Sequence, residues 1–346
     1  MKICVISTPI FRVPVAGYSG LEHLAWQTAA GLAKCGHEVS LICPDGSSCP
    51  GVQIIPVGPE RQVDEKMAFD RYWKYLLQVD CVIDETWNKW SYVLKQEGRL
   101  KVPSLGILHA PVDTMYRTLP DVAKPCFVCI SEDQRAHFEA LFSRPARTCH
   151  NGIDLTYYQP IGVPRTRRFL FLARFSKIKG PDLAIEACKQ AGVELDLVGD
   201  TKLTGEAEYL KSILGMADGK RIRFVGPANR CECVQWFSQA WCMIHPNQRF
   251  REPLGLAPLE ALACGTPVIA WNYGAMRETI GSEVGVLVQS MDDLVSHIKL
   301  TATLTDDEVA YIRRTCRNWV AANFSMERMI RRYDELCKEA VETGGW

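Results

Sequence analysis

The passage "NQRFREPLGLAPLEALACGTPVIAW", residues 247–271, sets two glutamates, Glu252 and Glu260, eight positions apart with Gly255 and Pro258 between them. Pro258 can open a helix, and Gly265 followed by Thr266-Pro267 can close it, which predicts a helix of about two turns. Gly255 and Leu256 then approach the helix N-terminus, where unpaired backbone N–H groups attract anions. Glycine lets a phosphate come close to the backbone. Glu252 precedes that terminus, and Glu260 is expected in the first turn after it. Carboxylates accept hydrogen bonds from vicinal hydroxyls, so the pair suits sugars on either side of a diphosphate. A plainer reading has Glu260 only complementing the helix dipole, worth under ~1 kcal/mol. That reading leaves Glu252 unexplained.

A second group lies in "FLARFSKIKGPD". Arg174 follows directly on an apolar run, and Lys179 stands just before Gly180 and Pro181. Pro181 suits a first helical position, which puts Lys179 in a strand-to-helix loop at the carboxyl edge of a sheet. Two cations there can neutralise a diphosphate. Two solvated loop charges would look the same. Several other chemistries lack their motifs. The first strand is followed by "STPIFRVPVAGYSG" rather than G-x-G-x-x-G, which argues against a dinucleotide enzyme. Neither a P-loop nor a G-x-S-x-G elbow occurs.

The elements that must carry these residues alternate. "KICVIS" is a continuous apolar strand, and "GLEHLAWQTAAGLAKCGHEV" has Leu21, Leu24, Ala25, Ala29 and Leu32 at helical spacing with Gly36 as its stop. "VSLICP", "DCVIDE", "VPSLGILHA" and "PCFVCIS" are further short strands. The rhythm restarts with "RRFLFLARF", "GPDLAIEACKQAG", "VELDLVGD", "RIRFVGP", "WCMIHP" and "TPVIAW". Apolar strands alternating with helices indicate parallel sheets covered on both faces. Residues 150–168, with two prolines, two glycines and no periodicity, read as a linker. Such sheets bind ligands beyond the carboxyl ends of their strands. Near the end, Thr305 and Glu308 form a capping box, and Ser325 opens a last helix with Met326, Met329, Ile330, Tyr333 and Cys337 on one face.

The chain of 346 residues suits two domains of ~150 residues. Its 40 basic and 40 acidic side chains cancel, and residues 1–160 hold 16 of the former against 17 of the latter. Neither half is therefore a broad basic surface for nucleic acid or anionic lipid. The N-terminus enters a strand without a charged leader, and no apolar run approaches ~18 residues. A cytoplasmic protein is expected. Fifteen cysteines in so long a chain do not suggest a disulfide framework. Cys126 and Cys129 are three apart on a strand, on opposite faces, so packing rather than a zinc site is expected. Cys231 and Cys233 lack a second correctly spaced pair.

E-x7-E after "WCMIHPN", followed by "EALACGTPVIAW", resembles the retaining GT-B glycosyltransferases of family 4. "GYSGLEHLAW" is similar to that family's glycine-rich first loop, "HNGID" to its segment at the linker, and "ARFSKIKGPD" to its Arg/Lys segment. "FSMERMIRRYDELC" is similar to its final helix, which crosses back to the first domain. The resemblance spans nearly the whole chain and implies an α/β fold of two Rossmann-like domains with parallel sheets facing across a deep cleft. Residues 1–160 would form the acceptor-side domain, 161–322 the nucleotide-sugar domain, and 323–346 the returning helix.

The family's site implies roles for individual residues. Arg174 and Lys179 would bind the donor diphosphate and stabilise the leaving nucleotide. Glu252 would contact hydroxyls of the transferred sugar and Glu260 those of the ribose. Gly255 and Leu256 would offer backbone N–H groups to phosphate. Gly17 and Gly20 would lie across the cleft, His109 near the reaction centre, and Asn151 at the hinge. Gly199, Pro227 and Ala228 would complete the nucleotide site. Without the resemblance, a packed or capped strand-end residue would be the better reading of His109. The family usually needs no metal and no further cofactor, and the Asp-x-Asp of a GT-A enzyme is absent. The first loop departs from the family in reading Gly17-Tyr18-Ser19-Gly20. In "VIDETWNKWSY", Asp84, Trp87, Trp90 and Tyr92 are candidates for contact with an acceptor, as is Tyr116, with helix packing the competing reading. A uracil base is expected ahead of guanine, for which Glu232 is the nearest carboxylate.

Together these features predict a retaining transferase moving a hexose from a UDP-sugar to an acceptor hydroxyl. An epimerase or phosphorylase on a similar fold, or an inactive nucleotide-sugar-binding protein, would share the motifs. The acceptor is left open among small molecules, glycans and lipid carriers.

Overall fold

The computed structural model describes residues 1–15, 20–115, 122–201 and 205–346. The chain divides into two compact units, Met1–Gly152 with Glu327–Trp346 and Ile153–Met326.

The first unit is built on β1 (Lys2–Ile6), β2 (Glu38–Cys43), β3 (Gln53–Pro56), β4 (Cys81–Asp84), β5 (Ser104–Leu108), β6 (Phe127–Cys129) and β7 (Arg147–Thr148). They form one parallel sheet in the order β3-β2-β1-β4-β5-β6-β7. The second unit carries β8 (Phe169–Leu172), β9 (Leu195–Val198), β10 (Ile222–Gly226), β11 (Cys242–His245), β12 (Val268–Trp271) and β13 (Gly285–Val288), in the order β10-β9-β8-β11-β12-β13. This is the doubly wound pattern twice over. In each sheet the strand order reverses beside the first strand, between β1 and β4 and again between β8 and β11. Crevices beyond the carboxyl ends of such strand pairs are where open parallel sheets take ligands.

The strands are apolar runs because both faces are covered. β5, β8, β9 and β11 are buried throughout. β10 lies at an edge and exposes Arg223, Phe224 and Val225. The helix Leu21–Lys34 buries Leu24, Ala25, Ala29 and Leu32, the face its spacing predicts, and Gly36 past its end has φ +88°. The capping box of Thr305 and Glu308 opens the helix Asp306–Asn323.

The chain passes from the first unit to the second at residues 152–153, within the segment expected as a linker. Residues after it fold onto the second unit, where Asp154 accepts from Thr156 and Arg317 donates to the carbonyls of Leu155 and Tyr158. The helix Met326–Thr343 packs on the first unit. Its Ile330 side chain fills the space a Cβ at Gly31 would need, His37 meets Asp334 at 2.9 Å, and Arg147 pairs with Glu339 at 2.8 Å. All fifteen cysteines are free thiols and thirteen are buried, which is the packing role expected of Cys126 and Cys129. Among the described residues no helix is long and apolar enough to cross a membrane.

Candidate functional site

Two loops of the second unit leave neighbouring strands at the reversal of its sheet. The loop after β8 turns on Ser176, whose carbonyl accepts from the backbone of Lys179 at 3.0 Å and of Gly180 at 3.3 Å. Gly180 has φ +70° and caps the helix Pro181–Ala191, with Pro181 at its first position. This turn delivers Lys179 toward β11. The loop after β11 runs from Pro246 to Gly255 and carries Asn247 and Glu252. Its carboxylate-bearing residue is pinned by backbone: the Glu252 carbonyl accepts from Ala275 N–H at 2.9 Å. Gly274, with φ +66°, approaches so closely that a Cβ there would lie 2.5 Å from the Glu252 carbonyl oxygen.

The two loops meet at Glu252. Its Oε2 pairs with the Lys179 ammonium and accepts from Asn247 Nδ2 at 3.0 Å. His245 Nε2, at the end of β11, lies 3.7 Å away, close enough for electrostatic attraction but too long for a hydrogen bond. The Lys179 ammonium also stands 5.2 Å from the Phe250 ring centroid. Burial by itself would raise the Glu252 carboxyl. The Lys179 charge and the His245 imidazole overcome that and hold it well below the usual carboxylate range, so Glu252 is ionised at neutral pH. Around it, His245 Nε2, Asn247 Oδ1 and Ser176 Oγ are buried without a hydrogen-bond partner among the described residues. Three buried polar atoms of these loops and the strand end thus keep unfilled hydrogen-bonding capacity.

The helix after Glu252 differs from expectation. It spans Leu256–Ala263, capped by Gly255 at φ +88°, rather than beginning at Pro258. Proline at its third position still falls among the N–H groups that no helix bonds, so it does not fix the start. Glu260 is consequently the fifth helical residue, beyond the first turn where it was expected. It is buried beside the thiols of Cys233 and Cys264; burial first, and then its charge, push both thiols up, Cys264 to about 12. A Cβ at Gly255 would lie 2.7 Å from Met276 Cε, which can move aside, so it is the positive φ that favours glycine at the cap.

Arg174, Gly199, Pro227 and Ala228, also expected in the nucleotide site, lie beyond the carboxyl ends of β8, β9 and β10. Arg174 is exposed and makes no ion pair among the described residues. Gly199, with φ +146°, lies where a Cβ would come 1.9 Å from the Ala173 carbonyl, so the end of β9 is fitted against the Arg174 loop. Pro227 and Ala228 link β10 to the helix Arg230–Gln239. That helix is opened by a capping box in which Glu232 accepts from Asn229 N–H at 2.7 Å.

In the first unit, His109 follows β5 and its Nε2 is bonded to the carboxylate of Glu85, which follows β4; both side chains are buried. Asn151 is buried at the end of the unit. Gly20 caps the helix Leu21–Lys34 in an ordinary helical conformation. Gly17 and Tyr116 lie outside the described residues. Asp84 does not face an acceptor as expected: it is fully buried, and its carboxylate is spent on Thr86 N–H at 3.0 Å and on the hydroxyls of Thr86 and Ser91 at 2.6 Å each. Trp87 packs on the cluster containing Leu108 and Val112, Trp90 stacks on Phe69, and the buried Tyr92 hydroxyl is bonded to the Pro125 carbonyl. The aromatics are thus held by packing. Glu85, His245 and Asn247 were not singled out from sequence; a histidine and an asparagine flanking Pro246 at a strand end were the available signal. Among the described residues no three His, Cys, Asp or Glu are grouped to hold a metal ion.

Comparison with known proteins bears on the family and the fold. Residues 161–318 match the family described as Glycosyl transferases group 1, and residues 18–157 match Glycosyltransferase Family 4. The D-inositol 3-phosphate glycosyltransferase of Xylanimonas cellulosilytica is 34% identical over 88% of this chain and 88% of its own. A counterpart in Catenulispora acidiphila is 24% identical over 99% of this chain and 96% of its own. Among solved structures, sucrose-phosphate synthase from Thermosynechococcus elongatus superposes with a TM-score of 0.78 at 20% identity, covering 99% of both chains. Anabaena HepE in complex with UDP and glucose gives 0.77 at 18% identity, over 97% of this chain and 98% of that one.

Proposed function

The chain belongs to the glycosyltransferases of group 1 and family 4, and we propose that it moves a hexose from a UDP-sugar to an acceptor hydroxyl, with retention at the anomeric carbon and without a metal ion. The observation that carries this reading is the meeting of Lys179, Asn247 and His245 on the ionised Glu252 beyond adjacent strands β8 and β11. In this reading Lys179 and Arg174 neutralise the diphosphate, a role that an ion fills in other transferases. Glu252 holds hydroxyls of the transferred sugar, and Glu260 those of the ribose. The open N-terminus of the helix Leu256–Ala263 faces phosphate with Gly255 and Leu256.

The acceptor oxygen attacks the anomeric carbon on the face the nucleotide leaves. The bond from that carbon to the phosphate oxygen breaks, and the acceptor proton passes to that oxygen. No protein nucleophile is needed, and Glu252, held ionised by a cation, is suited to hydrogen bonding rather than to proton transfer. The commitment of Glu232 to its capping box supports uracil over guanine, because the carboxylate nearest to Pro227 and Ala228 is already occupied. HepE, which holds UDP and glucose, makes UDP-glucose the first donor to try. The relatives named for D-inositol 3-phosphate supply the first acceptor.

Incubating the protein with UDP-glucose and D-inositol 3-phosphate or other polyols, in EDTA, and reading the product by proton NMR tests this. An α-linked glucoside and free UDP are expected. A β-linked product refutes retention, and a new nucleotide sugar without acceptor refutes transfer.

A further inference from the structure

Three side chains, two from loops and one from the end of β11, converge on a single oxygen of Glu252. They are the Lys179 ammonium, Asn247 Nδ2 at 3.0 Å and His245 Nε2 at 3.7 Å. Asn247 is 1% exposed and His245 3%. An amide oxygen turned toward a carboxylate would be repelled, so chemistry fixes the nitrogen-inward orientation of Asn247. With Oε2 so occupied, Oε1 is the oxygen left to accept from a ligand hydroxyl.

The Lys179 bond cannot serve this purpose throughout the reaction. The proposed function turns that ammonium to the donor diphosphate, which competes with Glu252 for its N–H groups. Something else must then keep the carboxylate from rotating about its Cγ–Cδ bond. Asn247 is already bonded to it, and it lies on the same loop, five residues away. Its own Oδ1 is buried without a partner among the described residues, a desolvated state that a sugar hydroxyl or a water relieves. His245 offers a second polar contact from the strand end, its Nε2 also without a hydrogen-bond partner among the described residues.

We propose that Asn247 and His245 are positioning residues that hold the Glu252 carboxylate while Lys179 turns to the diphosphate, and so set the grip on the sugar of the donor. The proposal rests on the assignment of Glu252 to the transferred sugar. It predicts a selective defect, because UDP has no sugar for Glu252 to hold.

Isothermal titration with UDP-glucose and with UDP separates the outcomes in wild type, Asn247→Ala, Glu252→Ala and the double variant. Asn247→Ala is expected to weaken UDP-glucose at least ~10-fold, the scale of a lost hydrogen bond to a charged group, while UDP binds as before. The double variant is expected to bind UDP-glucose no worse than Glu252→Ala alone. His245→Gln, which keeps a donor, should bind more tightly than His245→Leu. Equal losses for both ligands in Asn247→Ala, or additive losses in the double variant, overturn the positioning role and leave Glu252 where it is assigned. Undiminished UDP-glucose binding by Glu252→Ala overturns that assignment, and the positioning role with it.

Discussion

Lys179→Ala removes the cation from a carboxylate that burial would otherwise neutralise, and its effects on stability and on transfer separate by pH. Breaking a buried pair by deleting one partner costs about 3–5 kcal/mol. Here Asn247 and His245 stay beside Glu252, and the Lys179 side chain is 15% exposed, so we expect a loss of about 2 kcal/mol at pH 7. The sign with pH follows from the protonation states. In the wild type the folded Glu252 carboxyl is depressed, so its contribution is full above the unfolded value near ~4.3 and is lost only as pH falls toward the folded value. In the variant, burial acts without its main counterweight and the folded carboxyl rises. Its penalty is then full at neutral pH and fades as Glu252 takes up a proton. The stability difference between the two proteins is therefore full at neutrality and narrows only as the pH falls through the variant's own carboxyl value. Urea unfolding at half-unit steps from pH 8 to 3 measures it. Transfer should fall about 10²–10³-fold in the variant, the scale for one preorganised group facing developing charge. A stability deficit that is constant over the pH range, or near-normal turnover at pH 7.5, refutes the reasoning.

Gly274→Ala brings a methyl group to 2.5 Å from the Glu252 carbonyl at a positive φ. It should destabilise by about 1–3 kcal/mol and impair donor binding, read by thermal melting and by titration with UDP-glucose. Glu232→Ala loses the capping box of the helix Arg230–Gln239, so we expect about 1 kcal/mol of lost stability with the preference between UDP and GDP unchanged. A switch of base preference would instead place Glu232 on the base. Asp84→Ala strands the backbone and hydroxyl donors of Thr86 and Ser91 and should cost about 2–3 kcal/mol in unfolding experiments. A variant of normal stability with a raised acceptor KM would contradict its placement as a loop-organising group. Arg174→Ala, at an exposed position, should leave melting unchanged while weakening UDP binding.

Much of this could be read from sequence, for identifiable reasons. β8, β9 and β11 are apolar runs because both sheet faces are covered, and that makes them visible in a single chain. Lys179 and Glu252 stand out because a charge beside glycine and proline at a strand end has few structural uses. Pro258 misled because proline tolerates the third helical position as well as the first, which moved Glu260 out of the first turn. Asp84 misled because a carboxylate after a strand looks the same whether it faces a ligand or its own loop; only the positions of Thr86 and Ser91 decide. Asn247 and His245 were illegible because their meaning is a shared neighbour. Lys179 is 73 positions from the glutamate it pairs with, and no local periodicity records that contact.

We propose that the loops after β8 and β11 hold a nucleotide sugar by its diphosphate and its hexose. A crystal structure of the protein with UDP-glucose tests it most directly. Diphosphate oxygens are expected within hydrogen-bonding distance of Lys179 and Arg174, and a glucose hydroxyl on Glu252 Oε1. A ligand bound elsewhere, or a diphosphate held with Lys179 still closed on Glu252 and no sugar contact to it, would contradict it.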